Sequence, residues 1–214
     1  KILLTGAPRL ENTGNTQKIF NSFFVLNGDG EILTHYDKTH LVPFGEYNPL
    51  ESLFLVPGLT GSSFTPGTEL KTIKLPLLPE FTPLICYEII FSGQVTKKDS
   101  RPEWLLNITN DAWFGSSSGP YQHLAAARFR AAEEGVPIIR VANTGISAVI
   151  DPRGRILHQI NIETEGFIDT GLPRAVTPTF FSKYKNMPLL TLMGIIFITT
   201  LTSIIYHRTK KIPD

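Results

Sequence analysis

The sequence has a single cysteine, Cys86, among its 214 residues. One thiol excludes a disulfide framework within the chain, so a hydrophobic core has to hold the fold, and a chain of this length can build one. The 20 lysine and arginine residues nearly balance the 19 aspartate and glutamate residues, which leaves a formal net charge of +1. Nucleic-acid-binding proteins usually carry a basic field. The sequence therefore gives no argument for a nucleic-acid partner.

Several other signals are missing. The chain has no internal repeat, no low-complexity tract and no glycine-rich phosphate-binding motif. No spacing of His, Cys, Asp and Glu matches a metal site, and we expect no metal and no other cofactor. The chain starts at Lys1 and enters a strand-like apolar run at residues 2–5 without a signal-like segment before it. We therefore expect it to be the C-terminal part of a longer protein.

What is present is an alternation of short strands and helices. Residues 19–26 and 31–36 flank a strong hairpin turn at residues 27–30. Further strands are predicted at residues 2–5, 70–75, 81–86, 103–108, 136–142, 146–150 and 155–160. A short helix is predicted from residue 87 toward 97, and a longer one from Pro120 to Glu134, where Gly135 ends it. This order is typical of an α/β layered domain.

Residues 188–206 carry no charge and are rich in Leu, Ile, Phe and Thr. As a helix at about 1.5 Å per residue they would extend roughly 28 Å, close to the thickness of a bilayer core. We predict a transmembrane helix here, the alternative being a buried core helix. Basic residues lie on both sides of the segment, so their number does not decide its orientation.

Residues 49–64 are apolar without a sustained period and contain several Pro and Gly. A loop of this length is uncommon in a compact domain unless it works as a lid or a binding loop. The alternative, to which we give equal weight, is a loop that tucks its apolar side chains under itself.

Cys86 ends the apolar run at residues 81–86, at the tip of a predicted strand where a helix begins. A free cysteine most often packs in a core. In this position it could instead be a nucleophile, because backbone N–H groups at a helix start favour the thiolate. The N–H of Tyr87 could also hold an oxyanion formed at a carbonyl bonded to Cys86.

Lys38 follows a predicted strand and lies among Val, Leu and Phe residues. A partly buried ammonium there could stabilise an oxyanion, and it would need a carboxylate partner, for which Glu46 is the nearest candidate. The alternative is an ordinary surface lysine and a solvated glutamate. His40 is predicted to be a hydrogen-bonded loop histidine rather than a base.

A second polar segment follows the strand at residues 103–108. Asn110 and Asp111 are predicted to form a turn, with Trp113 packed beneath it. In a secondary role, the three residues would line the site near Cys86. Three residues of the following helix are predicted to make surface or inter-element contacts rather than to bind ligands: His123, Arg128 and Arg130.

Three motifs, at residues 36–46, 85–88 and 109–115, together resemble the nitrilase superfamily of carbon-nitrogen hydrolases. More narrowly, the chain resembles the apolipoprotein N-acyltransferases of bacteria, because an apolar terminal helix follows the motifs. The resemblance implies an α/β fold, a nitrilase-like α-β-β-α sandwich over residues 1–180 that lacks its N-terminal part. It also implies a transmembrane helix at residues 187–206 and a short basic tail at residues 207–214.

The resemblance also implies roles for particular residues. Cys86 would be the acylated nucleophile, Lys38 would bind the oxyanion, and Glu46 would support the lysine. Four residues would shape the substrate site: Tyr87, Glu88, Asn110 and Trp113. The family's general-base glutamate belongs to a motif upstream of the strand that residues 2–5 resemble. We expect the chain to be a fragment rather than a degenerate copy without turnover.

The implied reaction moves a fatty acyl group from a phospholipid, through a thioester on Cys86, to the N-terminal amine of a diacylglyceryl-modified lipoprotein. The implied partners are a phospholipid donor, an apolipoprotein acceptor and the membrane. The implied place is the bacterial inner membrane, with the catalytic domain on the periplasmic side. Two alternatives remain, namely a membrane-tethered nitrilase-type amidase and a non-catalytic module that binds lipid or lipoprotein.

Overall fold

A computed structural model describes residues 1–14, 16–49, 63–76, 78–97 and 99–209. Its first sheet has three antiparallel strands in sequence order, β1 (Leu3–Thr13), β2 (Thr16–Leu26) and β3 (Ile32–Asp37). The predicted hairpin between β2 and β3 is confirmed. Its turn is closed by the Asn27 side chain, whose Oδ1 accepts from the backbone N–H groups of Asp29 and Glu31 at 3.0 and 2.9 Å.

The second sheet has six strands, whose order in the sheet follows the chain. They are β4 (Ile73–Leu75), β5 (Leu78–Ile85), β6 (Trp104–Asn110), β7 (Ile138–Asn143), β8 (Ser147–Ile150) and β9 (Ile156–Ile160). The central strands β5, β6 and β7 are parallel, and the outer pairs are antiparallel. The carboxyl ends of the three parallel strands therefore meet at one edge, where ligands of such sheets usually bind.

Helices follow two of these strand ends. β5 leads into a 3₁₀ helix (Cys86–Ile90) and β6 into another (Asp111–Phe114), before α1 (Gly119–Glu134). The prediction of a helix reaching residue 97 is wrong. Phe91 is extended and Gly93 has a φ of 74°, so the chain leaves the helix after one turn. A glycine in this left-handed conformation typically ends a helix.

The core consists of two apolar clusters on opposite faces of the six-stranded sheet. Phe81 and Trp104 lie on one face and pack against Phe23 of the first sheet. Leu84 and Leu105 point to the other face, against α1, as the alternation of side chains along a strand requires. The helix contributes the predicted face, with these members buried: Leu124, Ala127 and Ala131. The layers are therefore sheet, sheet and helix, and the predicted α/β architecture is confirmed.

The last described elements are α2 (Phe180–Tyr184) and α3 (Met187–Thr209). Residues 187–207 of α3 are long and apolar enough to cross a bilayer, and they are not covered by the rest of the chain. The predicted apolar helix is thus present, and a buried core helix is excluded. The loop at residues 49–64, for which a lid and a loop tucked under itself are equally weighted alternatives, lies almost entirely outside the described residues, as do residues 210–214 of the predicted tail.

The segment before α3 is fastened to the end of α1. Lys185 Nζ lies 2.5 Å from Oε1 of Glu134. The Glu134 side chain is buried, and its other oxygen, Oε2, accepts from Thr96 Oγ1. Thr179 caps α2 and donates its hydroxyl to the backbone carbonyl of Glu133. These contacts hold the segment before α3 against the end of α1.

Candidate active site

Lys38 follows the end of β3, and its side chain is only 1% exposed. Its Nζ lies 2.6 Å from Oε2 of Glu46, so the predicted ion pair is present. The Glu46 carboxylate is further fixed by the N–H of Val42 at 2.8 Å and by Nδ2 of Asn21 at 2.9 Å. A buried ammonium is stable only when it is paired in this way. The geometry excludes the alternative of an ordinary surface lysine.

The main chain at Lys38 is held as firmly as its side chain. Its N–H donates to the carbonyl of Asn21 at 2.9 Å, and its carbonyl accepts from the N–H of Gly67 at 2.8 Å. A Cβ added at Gly67 would overlap the backbone carbonyl oxygen of Asp37. Only glycine fits where the two backbones approach this closely.

Gly67→Ala is therefore expected to push the Lys38 segment out of place. Overpacking of this kind costs about 1–3 kcal/mol, and thermal unfolding should show the lower stability. Gly171→Ala is the matched control, because a Cβ there meets no atom within 4 Å. Equal melting temperatures for the two variants would contradict the close approach at Gly67.

Cys86 is partly exposed and follows directly on β5, at the edge where the parallel strands end. Its φ is 52°, in the left-handed region. A residue other than glycine pays about 1–3 kcal/mol for such a conformation, which is found most often at functional sites. The 3₁₀ helix after Cys86 is shorter than the predicted helix and has a smaller dipole. Main-chain geometry, more than a helix dipole, thus distinguishes this thiol from an ordinary core cysteine.

Glu88 connects the Cys86 turn to the Lys38 segment. The carboxylate is 2% exposed, and its Oε2 accepts from the N–H of Ile85 at 2.8 Å. Its Oε1 accepts from the N–H groups of Thr39 and His40 at 2.7 and 3.2 Å, and from two hydroxyls, those of Tyr36 (2.7 Å) and Thr39 (2.9 Å). Burial first, and then the charge of Glu88, raise the pKa of Tyr36 well above its usual range.

In this arrangement Glu88 is placed to shape the site from behind the thiol rather than to face a substrate. Both of its oxygens are occupied by backbone and side-chain donors, and the residue lies behind the site. What it does is hold the residue before Cys86 and the residues after Lys38 on one carboxylate. The segments that carry Cys86 and Lys38 are thereby joined, although 48 positions separate the two residues in the chain.

Tyr87 takes part in an aromatic group beside the same turn. Its ring meets Phe91 edge-on at 5.0 Å between centroids, and Phe91 stacks on His40 at 4.6 Å. His40 is also in hydrogen-bond contact with Thr39 Oγ1 through Nδ1, at 3.2 Å. The prediction of a hydrogen-bonded loop histidine is confirmed.

The polar segment after β6 is folded differently from the prediction in one respect. Asn110 forms the expected turn, with its Oδ1 accepting from the N–H of Ala112 at 3.2 Å. Trp113, however, is 84% exposed, so the prediction that it packs beneath the turn is wrong. The 3₁₀ helix turns its ring outward, and Phe114 packs on His123 instead, with 5.6 Å between ring centroids.

Sequence reasoning missed a buried polar cluster on β6, β7 and α1. Asp111 Oδ2 lies 2.6 Å from Nη2 of Arg140, and Asp111 Oδ1 lies 2.9 Å from Nδ1 of His123. Arg140 Nη1 also donates to Oδ1 of Asn107. All four side chains are buried. His123 therefore makes an inter-element contact, as one of its two predicted alternatives states, and is no surface residue.

The charges in this cluster compensate one another. Burial on its own would raise the pKa of Asp111, but the hydrogen bond with His123 and the charge of Arg140 bring it below its usual value. Burial lowers the pKa of Arg140, against the opposing effects of Asp111 and, more weakly, of Cys86. A signal for the cluster did exist, since Asn107 and Arg140 each interrupt an otherwise apolar strand.

Within the described residues, no group of three or more His, Cys, Asp or Glu side chains is placed to hold a metal ion. The chemistry that this edge offers is that of a thiol, an ammonium and their hydrogen-bonded supports.

The family model for carbon-nitrogen hydrolases matches residues 2–179, most of the chain. The chain belongs to the carbon-nitrogen hydrolase family. Other members of known structure include an amidase of the nitrilase superfamily from Nesterenkonia, with a TM-score of 0.55, 19% identity, and coverage of 90% of this chain and 68% of that one. This likeness confirms the nitrilase fold expected from the sequence.

Curated relatives within the carbon-nitrogen hydrolase family are more similar in sequence. The apolipoprotein N-acyltransferase of Rhodopseudomonas palustris is 44% identical over 208 residues, which cover 94% of this chain and 39% of that protein. That of Rickettsia prowazekii is 41% identical over 214 residues, with coverage of 97% and 43%. The chain thus spans about two fifths of the length of these relatives.

Proposed function

We propose that this chain carries the nucleophile and the oxyanion-binding lysine of a membrane-bound N-acyltransferase. The single observation behind the proposal is Glu88, which holds the Lys38 segment and the Cys86 turn on one buried carboxylate. The similarity to apolipoprotein N-acyltransferases supports the choice of reaction. The proposed donor is a phospholipid, and the proposed acceptor is the N-terminal amine of a diacylglyceryl-modified lipoprotein.

In the first half of the proposed reaction, the Cys86 thiolate attacks an ester carbonyl of the phospholipid. The new bond joins sulfur to the acyl carbon, and the bond from that carbon to the glycerol oxygen breaks. The glycerol oxygen takes up the proton that the thiol gave up, so a lysophospholipid leaves. The Lys38 ammonium, buried and pre-oriented by Glu46, stabilises the oxyanion.

In the second half, the acceptor amine attacks the thioester. A carbon-nitrogen bond forms, the carbon-sulfur bond breaks, and the proton lost by the amine returns to sulfur. Among the described residues, the two carboxylates that contact the Lys38 and Cys86 segments already accept hydrogen bonds, Glu46 from Lys38 and Glu88 from the backbone. We therefore assign the proton transfer to neither Glu46 nor Glu88. The family resemblance implies a further glutamate that would act as the general base.

The membrane is proposed to be both the anchor and the source of substrate. α3 is apolar and unpacked, and we propose that it crosses the bacterial inner membrane with the catalytic layers on the periplasmic side.

Two strongly exposed aromatic side chains, Phe44 and Trp113, follow the Lys38 and β6 segments and offer apolar contact to acyl chains. With Tyr87 and Asn110 they are the proposed substrate-contacting residues.

Incubation of the full-length protein with phospholipid that carries a labelled acyl chain tests this function. The expected result is a covalent adduct that hydroxylamine releases, as it releases thioesters. Cys86→Ser should form no such thioester, since an oxygen nucleophile gives an ester at best. A lipopeptide with a free N-terminal amine should then discharge the wild-type adduct as an amide.

Other outcomes separate the alternatives. Discharge of the adduct to water but not to the peptide amine would favour a membrane-tethered amidase. Binding of phospholipid or lipopeptide without any adduct would favour a non-catalytic module, and the proposed acyl transfer would be wrong.

A further inference from the structure

The buried cluster behind the site reaches the Cys86 main chain at two points. His123 Nε2 lies 3.2 Å from the carbonyl oxygen of Cys86. Asn107 Nδ2 donates to the carbonyl of Leu84 at 3.1 Å and, at 3.5 Å, to that of Cys86. The cluster takes no part in the acyl transfer as described, yet it touches the one peptide unit that carries the nucleophile.

The contact with the Cys86 carbonyl requires a proton on Nε2 of His123. A carbonyl oxygen only accepts, so Nε2 has to be protonated to hydrogen-bond Cys86. The other ring nitrogen, Nδ1, lies 2.9 Å from Asp111 Oδ1 and 3.1 Å from Arg140 Nη2. These two neighbours set the plane of the ring and aim Nε2 at the Cys86 carbonyl.

The cluster is itself rigid. Arg140 is bound to Asp111, to Asn107 and, through Nε, to the carbonyl of Ile146 at 3.3 Å. A Cβ at Gly145 would overlap the Asp111 carboxylate, so the loop after β7 closes tightly over it. Hydrogen-bond donors mounted on such a support hold their acceptor in one place.

The Cys86 main chain needs this support. With a φ of 52°, Cys86 has a backbone conformation that residues other than glycine rarely adopt. Relaxation to an ordinary negative φ would rotate the Cys86 peptide unit and move Sγ from its present position. Hydrogen bonds to the carbonyl that are made only in the observed conformation oppose that relaxation.

We propose that His123, oriented by Asp111, is a positioning residue that locks the Cys86 turn in its left-handed conformation and so aims the thiol at the acyl carbonyl. The inference rests on the proposed role of Cys86 as nucleophile. His123 acts through the main chain, and it exchanges no proton with the substrate.

The test compares His123→Leu with His123→Gln in the full-length protein. Leucine removes the donor, whereas the glutamine amide can still donate to the Cys86 carbonyl. Acyl-enzyme formation from labelled phospholipid is expected to slow by about 100-fold in His123→Leu, with an unchanged KM for phospholipid, since one lost positioning contact typically costs this much. His123→Gln should recover most of the rate.

Arg130→Met is the matched control on the same helix. Arg130 is also buried and also binds the 3₁₀ helix through a backbone carbonyl, but at its other end, Ile90, at 2.8 Å. Its loss should lower the melting temperature and leave the acylation rate of the folded protein unchanged. A slowing equal to that of His123→Leu would mean that α1 merely stabilises the turn, and would overturn the inference.

Hydrogen exchange provides a readout that does not depend on acyl transfer. The peptide that covers residues 86–91 should exchange faster in His123→Leu and at the wild-type rate in His123→Gln. Wild-type exchange of this peptide in His123→Leu would overturn the inference even if acylation is observed. If the wild type forms no adduct, the proposed function fails, and the exchange rates alone decide whether His123 locks the turn.

Discussion

Lys38→Met is expected to abolish acyl-enzyme formation, with a loss of at least about 100-fold to 1,000-fold in rate. Methionine keeps the length and the apolar stem of the side chain but removes the ammonium that faces the oxyanion. The effect is large because Lys38 is almost completely buried, where a charge is worth far more than in water. Labelled phospholipid and the hydroxylamine-sensitive adduct provide the measurement.

The same substitution leaves the partly buried Glu46 carboxylate without its cation, which costs less than the about 3–5 kcal/mol of a fully buried pair but still lowers stability. The double variant Lys38→Met, Glu46→Gln relieves that penalty and should recover stability without recovering acylation. Lys74→Met is the matched control, since Lys74 pairs with Glu80 at the same 2.6 Å but is 70% exposed. Acylation at the wild-type rate in the stable double variant would remove Lys38 from the mechanism.

Glu88→Ala is expected to damage stability and acylation together. It leaves the N–H groups of Ile85, Thr39 and His40 without their acceptor. Each buried donor left unpaired costs about 1–3 kcal/mol. At about 2–4 °C per kcal/mol for a domain of this size, the melting temperature should fall by roughly 10 °C or more.

The variant Glu88→Gln separates the effect of the Glu88 charge from the effect of its side-chain shape. The amide keeps one accepting oxygen, but its NH₂ group meets a donor wherever it points, so this variant should lie between wild type and alanine in both measurements. Glu69→Ala, which removes an exposed carboxylate, should leave both unchanged. The role assigned to Glu88 is wrong if the alanine variant melts and acylates like the wild type.

The sequence predicted correctly those features that depend on residues close together in the chain. The hairpin at residues 27–30 follows from turn residues between alternating strands, and the Lys38–Glu46 pair joins residues eight positions apart in one segment. The apolar face of α1 follows from its helical period. Each of these needs only neighbours along the chain.

Part of what the sequence could not show depends on partners that are distant in the chain. Glu88 is a candidate site residue by its place near Cys86, but its bonds to both the β3 and the β5 segments form only when the two sheets pack together. The partners of His123 on β6 and β7 come together only in the folded sheet. The prediction that Trp113 packs beneath its turn failed for a local reason, because the 3₁₀ helix after β6 turns the ring outward.

The contact between Lys185 and Glu134 has a consequence for how the proposed membrane enzyme would meet its lipid. Lys185 lies just before the start of α3, and its partner belongs to the helix that supports the Cys86 turn. A hinge that moved Lys185 away from α1 would have to break an ion pair whose carboxylate is buried, so this contact opposes free rotation of the domain about α3. If the chain acts as proposed, the thiol would work within a restricted range of heights above the bilayer, and each lipid would have to reach it there.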